Sequence, residues 1–180
     1  MNAIVLHGSP RAGGNSDTLA GRFLAGLAEA GEHEVRHFQL NGMSISGCQG
    51  CEKCLRGLPR YCAVEDDMQQ VYEAFRAADI VVFATPMYWG YMTGQMKLAV
   101  DRMEAVTRFF PGKTFVVLMT YRHHCESTAA FFKRVCPFFR VELHVIACRT
   151  TDDAGEDIPI ARCPDRLEEA RALGLALGRR

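Results

Sequence analysis

Apolar positions along the 180-residue chain alternate between short continuous runs and stretches where they recur every three or four residues. Ala3 to His7 is a short buried run that ends at Gly8. Leu19, Phe23 and Leu27 then repeat every four residues, which predicts an amphipathic helix from about Asp17 to Ala30, closed by Gly31. His33 to Gln39 reads as a second strand. Met68, Val71, Tyr72 and Phe75 form one helical stripe, with Asp66 and Asp67 at its positive end. Ile80 to Ala84 is an unbroken apolar strand of the kind covered on both faces. Met96, Val100 and Met103 mark a third helix, Phe115 to Met119 a strand, Ser127 to Val135 a helix, Val141 to Ala147 a strand, and Leu167 to Leu177 a last helix. Five strands alternating with helices predict an α/β fold, an open five-stranded parallel sheet with helices on both faces. With no internal repeat and no linker, the expectation is one domain over 1–180, carrying a cysteine-rich insertion loop at 43–64.

Composition narrows the function classes. Hydrophobic residues make up 48% and charged ones 23%, and the formal charge is zero. A neutral chain lacks the basic field that holds nucleic acid, and also the acidity of small electron shuttles that dock by charge. The longest apolar-looking stretch, Ile80 to Trp89, falls short of the roughly 18 residues a membrane span needs. The start of the chain shows no basic region followed by a long apolar one, so no signal peptide is expected. The expected compartment is the cytoplasm, where eight cysteines point to metal or catalysis before disulfides.

Two loops carry candidate binding chemistry. The first reads GSPRAGGNS, Gly8 to Ser16. Its glycines permit close backbone approach, Ser9, Asn15 and Ser16 supply donors, Arg11 supplies a cation, and the following helix points its positive end there. A phosphate fits. The plainer alternative is a strand-to-helix turn with Ser16 as N-cap. A nucleotide-triphosphate loop is excluded because Gly14 stands where its lysine would be, and the G-x-G-x-x-G fingerprint is absent. The second loop, after the third strand, contains Pro86, Met87, Tyr88, Trp89, Gly90 and Tyr91, including the single tryptophan of the chain. Core packing is the alternative for its rings. A phosphate cradle after strand one paired with a flat-ring holder after strand three suits a mononucleotide with a planar head, pointing to flavin mononucleotide, FMN.

The stretch CQGCEKCLRGLPRYC places Cys48, Cys51, Cys54 and Cys62 at C-x2-C-x2-C-x7-C spacing, with Pro59 turning the chain before the last of them. Three cysteines at successive x2 intervals are typical of a chain wrapped around an iron–sulfur cube, so a [4Fe–4S] cluster is the first reading. Structural zinc, which favours two well-separated ligand pairs, a redox dithiol, and an empty loop remain alternatives. Cys125, Cys136, Cys148 and Cys163 show no ligand spacing and read as small buried hydrophobes.

Together, GSPR-x2-GNS, C-x2-C-x2-C, C-x3-DDM (Cys62 to Met68), P-x-YW and K-x3-DR resemble the iron–sulfur flavoproteins and their relatives among the NADPH-dependent FMN reductases. The resemblance covers most of residues 2 to 102. It implies a flavodoxin-like three-layer fold, with the FMN phosphate on Ser9, Arg11, Asn15 and Ser16 and the isoalloxazine against Pro86, Met87, Tyr88, Trp89 and Gly90. It also implies cluster ligands Cys48, Cys51, Cys54 and Cys62, and a homodimer or tetramer. The function implied is an oxidoreductase taking electrons from NAD(P)H or an electron carrier and passing them to a quinone, a flavin or oxygen. A non-enzymatic electron carrier is the alternative, and a redox sensor ranks behind both. No side chain is assigned as a catalytic acid or base. The loop after the fourth strand, TYRHHCES, lacks the glycines often found in relatives; His123 and His124 are expected to be solvated, the alternative being an approach to the flavin's polar edge. Arg102 is expected at an interface or in a surface salt bridge.

Overall fold

A computed structural model describes residues 1–57 and 61–180. The elements in chain order are β1 (Asn2–His7), α1 (Asn15–Ala30), β2 (Glu34–Gln39), α2 (Met68–Ala77), β3 (Ile80–Tyr88), β4 (Tyr91–Met92), α3 (Gly94–Arg102), β5 (Thr114–Tyr121), α4 (Glu126–Phe138), β6 (Glu142–Arg149) and α5 (Pro164–Gly178). The sheet runs β2-β1-β3-β5-β6 with every pair parallel, and β4 adds an antiparallel step on β3. Counting parallel strands alone, the order is 2-1-3-4-5, the flavodoxin-like winding whose switch point lies between the first and third strands.

The apolar runs are continuous because both sheet faces are covered, and successive side chains serve opposite layers. Ile4, Leu6, Val81, Phe83, Phe115 and Val117 pack under α2, α3 and α4. Ala3, Val5, Val82, Ala84, Val116 and Leu118 pack under α1 and α5. On the second face α1 and α5 approach until their backbones touch. A Cβ on Gly26 would stand 1.8 Å from Arg171 O, and one on Gly174 2.0 Å from Phe23 O. Only glycine permits that crossing.

Three expectations are corrected. The third strand does not stop at Ala84: it runs to Tyr88, so Thr85 to Tyr88 are strand residues and the turn proper is Trp89–Gly90. Helix α1 begins at Asn15 with Gly14 as N-cap, so Ser16 lies inside its first turn rather than capping it. Arg102 is not a surface residue; it is 2% exposed. The proposed turn at Pro59 lies outside the described residues.

Candidate functional site

The first loop is braced from beneath. The Ser9 hydroxyl accepts from Arg11 N at 3.0 Å and donates to Arg11 O at 2.9 Å, closing a tight local turn. Asp17 accepts from Gly13 N at 2.8 Å and, on its other oxygen, from His7 Nδ1 at 2.8 Å. The far nitrogen of His7 meets His37 Nδ1 at 3.1 Å, and burial together with the nearby His7 holds His37 below its ordinary value. Among the described residues no side chain caps the N-terminus of α1. Its leading N–H groups therefore face the loop with the positive end of the helix dipole behind them, an arrangement suited to an anion.

The second loop is a two-residue hairpin. Trp89 (φ 52°) and Gly90 (φ 75°) both occupy the left-handed region, as a type I′ connection demands. Glycine tolerates that conformation, whereas tryptophan is strained there. Trp89 is nonetheless fully exposed and Tyr88 largely so. The hairpin thus leaves the Trp89 indole outside the core at the sheet rim.

Thr93 locks the two loops together. Its buried hydroxyl donates to Gly8 O at 2.7 Å and accepts from Met96 N at 3.3 Å, capping α3, while its own N–H reaches Thr85 Oγ1 at 3.3 Å. One cleft of about 710 Å³ results at the carboxyl rim of the sheet, within the size range of small-molecule sites. Ser9, Arg11, Asn15 and Ser16 line one end, and Pro86, Met87, Tyr88 and Trp89 the other. Gly90, expected among them, lies on the hairpin turn outside the lining, where a Cβ would sit 3.6 Å from His124 Cβ.

The remaining walls escaped the sequence reading. Thr120, Tyr121 and Arg122 come from the end of β5, and Thr150, Asp157, Ile158 and Pro159 from the segment after β6. Arg122 Nε meets Asp157 Oδ1 at 3.0 Å, joining these two walls, and Asn15 Oδ1 accepts from Ile160 N at 3.4 Å. Burial first, then Cys125 and Glu126, push the Tyr121 phenol above its usual range, so it stays a protonated donor at neutral pH. His123 and His124 are exposed, and His124 faces Glu126 at 3.7 Å. These wall residues lie in two short segments with no periodicity or motif. Only Thr93, a hydroxyl just before a helical period, carried a readable cap signal.

The cysteine loop is built differently. Arg102 Nη1 donates to Ser46 O at 2.8 Å and Asp66 Oδ2 at 2.9 Å; Nη2 donates to Val64 O and Asp66 Oδ1, both at 3.2 Å. Its Nε reaches Tyr72 OH at 3.2 Å. One buried guanidinium thus grips both feet of the loop. Burial alone would raise the Asp66 carboxyl, but the Arg102 bonds and the N–H groups of Ser46 and Met68 hold it below the usual carboxylate range. Beyond those feet, Cys48 and Cys51 are exposed while Cys54 and Cys62 pack part-buried on the core. Burial, then the neighbouring Cys62, push the Cys54 thiol up. Among the described residues, no three His, Cys, Asp or Glu side chains are grouped as they would be around a metal ion. Of the other four cysteines, Cys136 and Cys148 are buried as expected, but Cys125 and Cys163 are partly exposed.

Residues 1–146 match the family model described as NADPH-dependent FMN reductase. The chain belongs to that family. It is 38% identical over 114 residues to an iron-sulfur flavoprotein of Archaeoglobus fulgidus, a match covering 61% of this chain and 56% of that protein. It is 37% identical over 106 residues to one of Methanocaldococcus jannaschii, covering 59% and 52%. The match thus spans about half the length of these relatives. Among solved structures, an FMN-dependent NADH-azoreductase from Bacillus anthracis, in complex with FMN, superposes with a TM-score of 0.73 at 11% identity. That match covers 99% of this chain and 100% of the other, a likeness of fold. Among the described residues, no helix is long and apolar enough to cross a membrane.

Proposed function

We propose that the protein is an FMN-dependent oxidoreductase that draws electrons from NAD(P)H and delivers them to a small acceptor such as a quinone, a free flavin or oxygen. The observation that carries this reading is the single cleft joining the uncapped start of α1 to the hairpin that presents Trp89. Bound FMN would supply two-electron exchange between donor and acceptor. The chain's own part is to bind and orient. Arg11 and the N–H groups opening α1 neutralise the phosphate, with Asn15 and Ser16 at their side. Tyr88 and Trp89, on the hairpin from Pro86 and Met87, cover the ring and exclude water from its face. Tyr121 offers a protonated hydroxyl to the opposite wall.

Membership of the reductase family and the rim position of the cleft support this assignment, and the proposal takes residues 1–180 as a single domain. A [4Fe–4S] cluster on Cys48, Cys51, Cys54 and Cys62, within the insertion loop 43–64, is supported by the spacing and by the names of the relatives. Among the described residues the thiols are not grouped around a common point. A homodimer or tetramer in a reducing, cytoplasmic compartment completes the proposal; light scattering that finds a monomer removes its oligomeric part.

The test is reconstitution of the pure protein with FMN, followed by anaerobic stopped-flow mixing with NADPH. The expected result is a yellow complex that bleaches within seconds. A protein that stays colourless overturns the reading. A yellow protein that NADPH fails to bleach makes it an electron carrier instead. Iron and acid-labile sulfide assays on anaerobically purified protein decide the cluster.

A further inference from the structure

Cys148 ends the buried part of β6 and Cys163 stands immediately before Pro164, the first residue of α5. Nothing in their sequence spacing connects them. In the fold both thiols converge on one acceptor: Cys163 Sγ donates to Arg149 O at 3.4 Å and Cys148 Sγ to the same oxygen at 3.8 Å. Cys148 is 0% exposed, whereas Cys163 is partly exposed. Burial first, then the neighbouring Cys163, push the Cys148 thiol up, while Arg166, the third residue of α5, opposes them. The pair is therefore divided between one accessible sulfur and one protected, protonated sulfur.

What lies between them gives the pair its consequence. The intervening segment supplies Thr150, Asp157, Ile158 and Pro159 to the cleft. It is held by Thr150 N to Tyr121 O at 2.8 Å, by Thr151 Oγ1 to Arg122 O at 2.9 Å, and by its own bridge from Thr151 to Asp157. Its two ends meet at the thiols, so a covalent link there would close the wall into a ring.

We infer that Cys148 and Cys163 form a reversible redox pair, oxidised by a small hydroperoxide to a disulfide that staples the 149–162 wall of the cleft. The steps balance with hydrogen peroxide as oxidant. The Cys163 sulfur attacks one peroxide oxygen and the O–O bond breaks, giving a sulfenic acid and one water. The Cys148 sulfur then attacks the sulfenic sulfur, the S–O bond breaks, and hydroxide leaves with the Cys148 proton as a second water. Two thiols are oxidised by two electrons and one peroxide is reduced. A dithiol reductant reverses the reaction. The significance of the wall for cofactor exchange rests on the FMN reading above; the disulfide itself does not.

The experiment exposes the reduced full-length protein, without added flavin, to stoichiometric hydrogen peroxide. Free thiols are then alkylated and peptides mapped without reduction. The expected product links the Cys148 and Cys163 peptides, is reversed by dithiothreitol, and is absent from Cys163→Ser. In Cys148→Ala, Cys163 instead accumulates as a sulfenic acid trapped by dimedone. Recovery of Cys163 as alkylated free thiol, or its linkage to Cys48, Cys51, Cys54 or Cys62, overturns the inference. Hydrogen exchange on the same sample reads the wall. Amides of 150–158 are expected to exchange several-fold more slowly after oxidation, and unchanged rates overturn the staple. Neither readout needs FMN, so a protein that refuses the cofactor sinks the proposed function and leaves this result distinct.

Discussion

The cleft and the cysteine loop are both built from residues whose spacing announces chemistry, yet the fold treats them in opposite ways. Cleft residues from four separate loops are drawn to one rim by the parallel sheet and pinned to one another by Thr93 and Asn15. The cysteine loop is gripped at its feet by Arg102 and Asp66, while Cys48 and Cys51 along it stay exposed. The cleft is preorganised by backbone packing, so its geometry survives without a ligand. Preorganisation follows from how many elements fix a segment, and motif density along the chain does not measure it.

The largest effect expected is at the loop's anchor. Arg102→Ala strands the Asp66 carboxylate in a buried site and should cost about 3–5 kcal/mol in urea unfolding, a range set by broken buried ion pairs. A loss no bigger than that of an exposed pair would mean the loop feet are not gripped. Next comes the cleft. Arg11→Ala removes the charged phosphate contact and should weaken FMN binding by about 2 kcal/mol in a fluorescence titration, with unfolding of the apoprotein unchanged. Equal FMN affinity would move the phosphate elsewhere.

A smaller effect has opposite signs in the two readouts. Trp89→Gly relieves a left-handed tryptophan that the core does not use, and should raise apoprotein stability by up to about 1 kcal/mol while loosening FMN. A destabilised apoprotein would show that the indole packs after all. The smallest effect is a pH dependence. The folded Asp66 carboxyl is held below its ordinary value of 3.8, so its contribution is fully present above that value and fades as pH falls through the lower folded one. The stability gap between the parent and Asp66→Asn should therefore be constant from pH 7 to 5 and narrow in more acid solution. A gap that widens on acidification contradicts the ion pair.

Much of this architecture was legible in the order of residues. The β1, β3 and β5 runs and the stripes of α1 and α2 declare their periods because each faces a covered layer, and burial imposes that period directly. That Ser9, Arg11, Asn15, Ser16 and Pro86 to Trp89 would meet at one cleft was likewise readable, since they follow the ends of the first and third strands at the same sheet rim. The extension of β3 through Pro86 was hidden, because proline ordinarily argues against a strand. Arg102 looked like a surface charge, since its partners Ser46, Val64 and Asp66 lie far behind it in the chain.

Local order thus determined which segments become strands and helices, which turns can hold an anion or a ring, and hence the family resemblance, because those depend on neighbours a few residues apart. Tertiary structure alone decided that Tyr121, Asp157 and Pro159 close the cleft, that Arg102 clamps a loop, and that Cys148 meets Cys163. Each of these depends on the distance between remote residues, which parallel winding sets and which no spacing along the chain encodes.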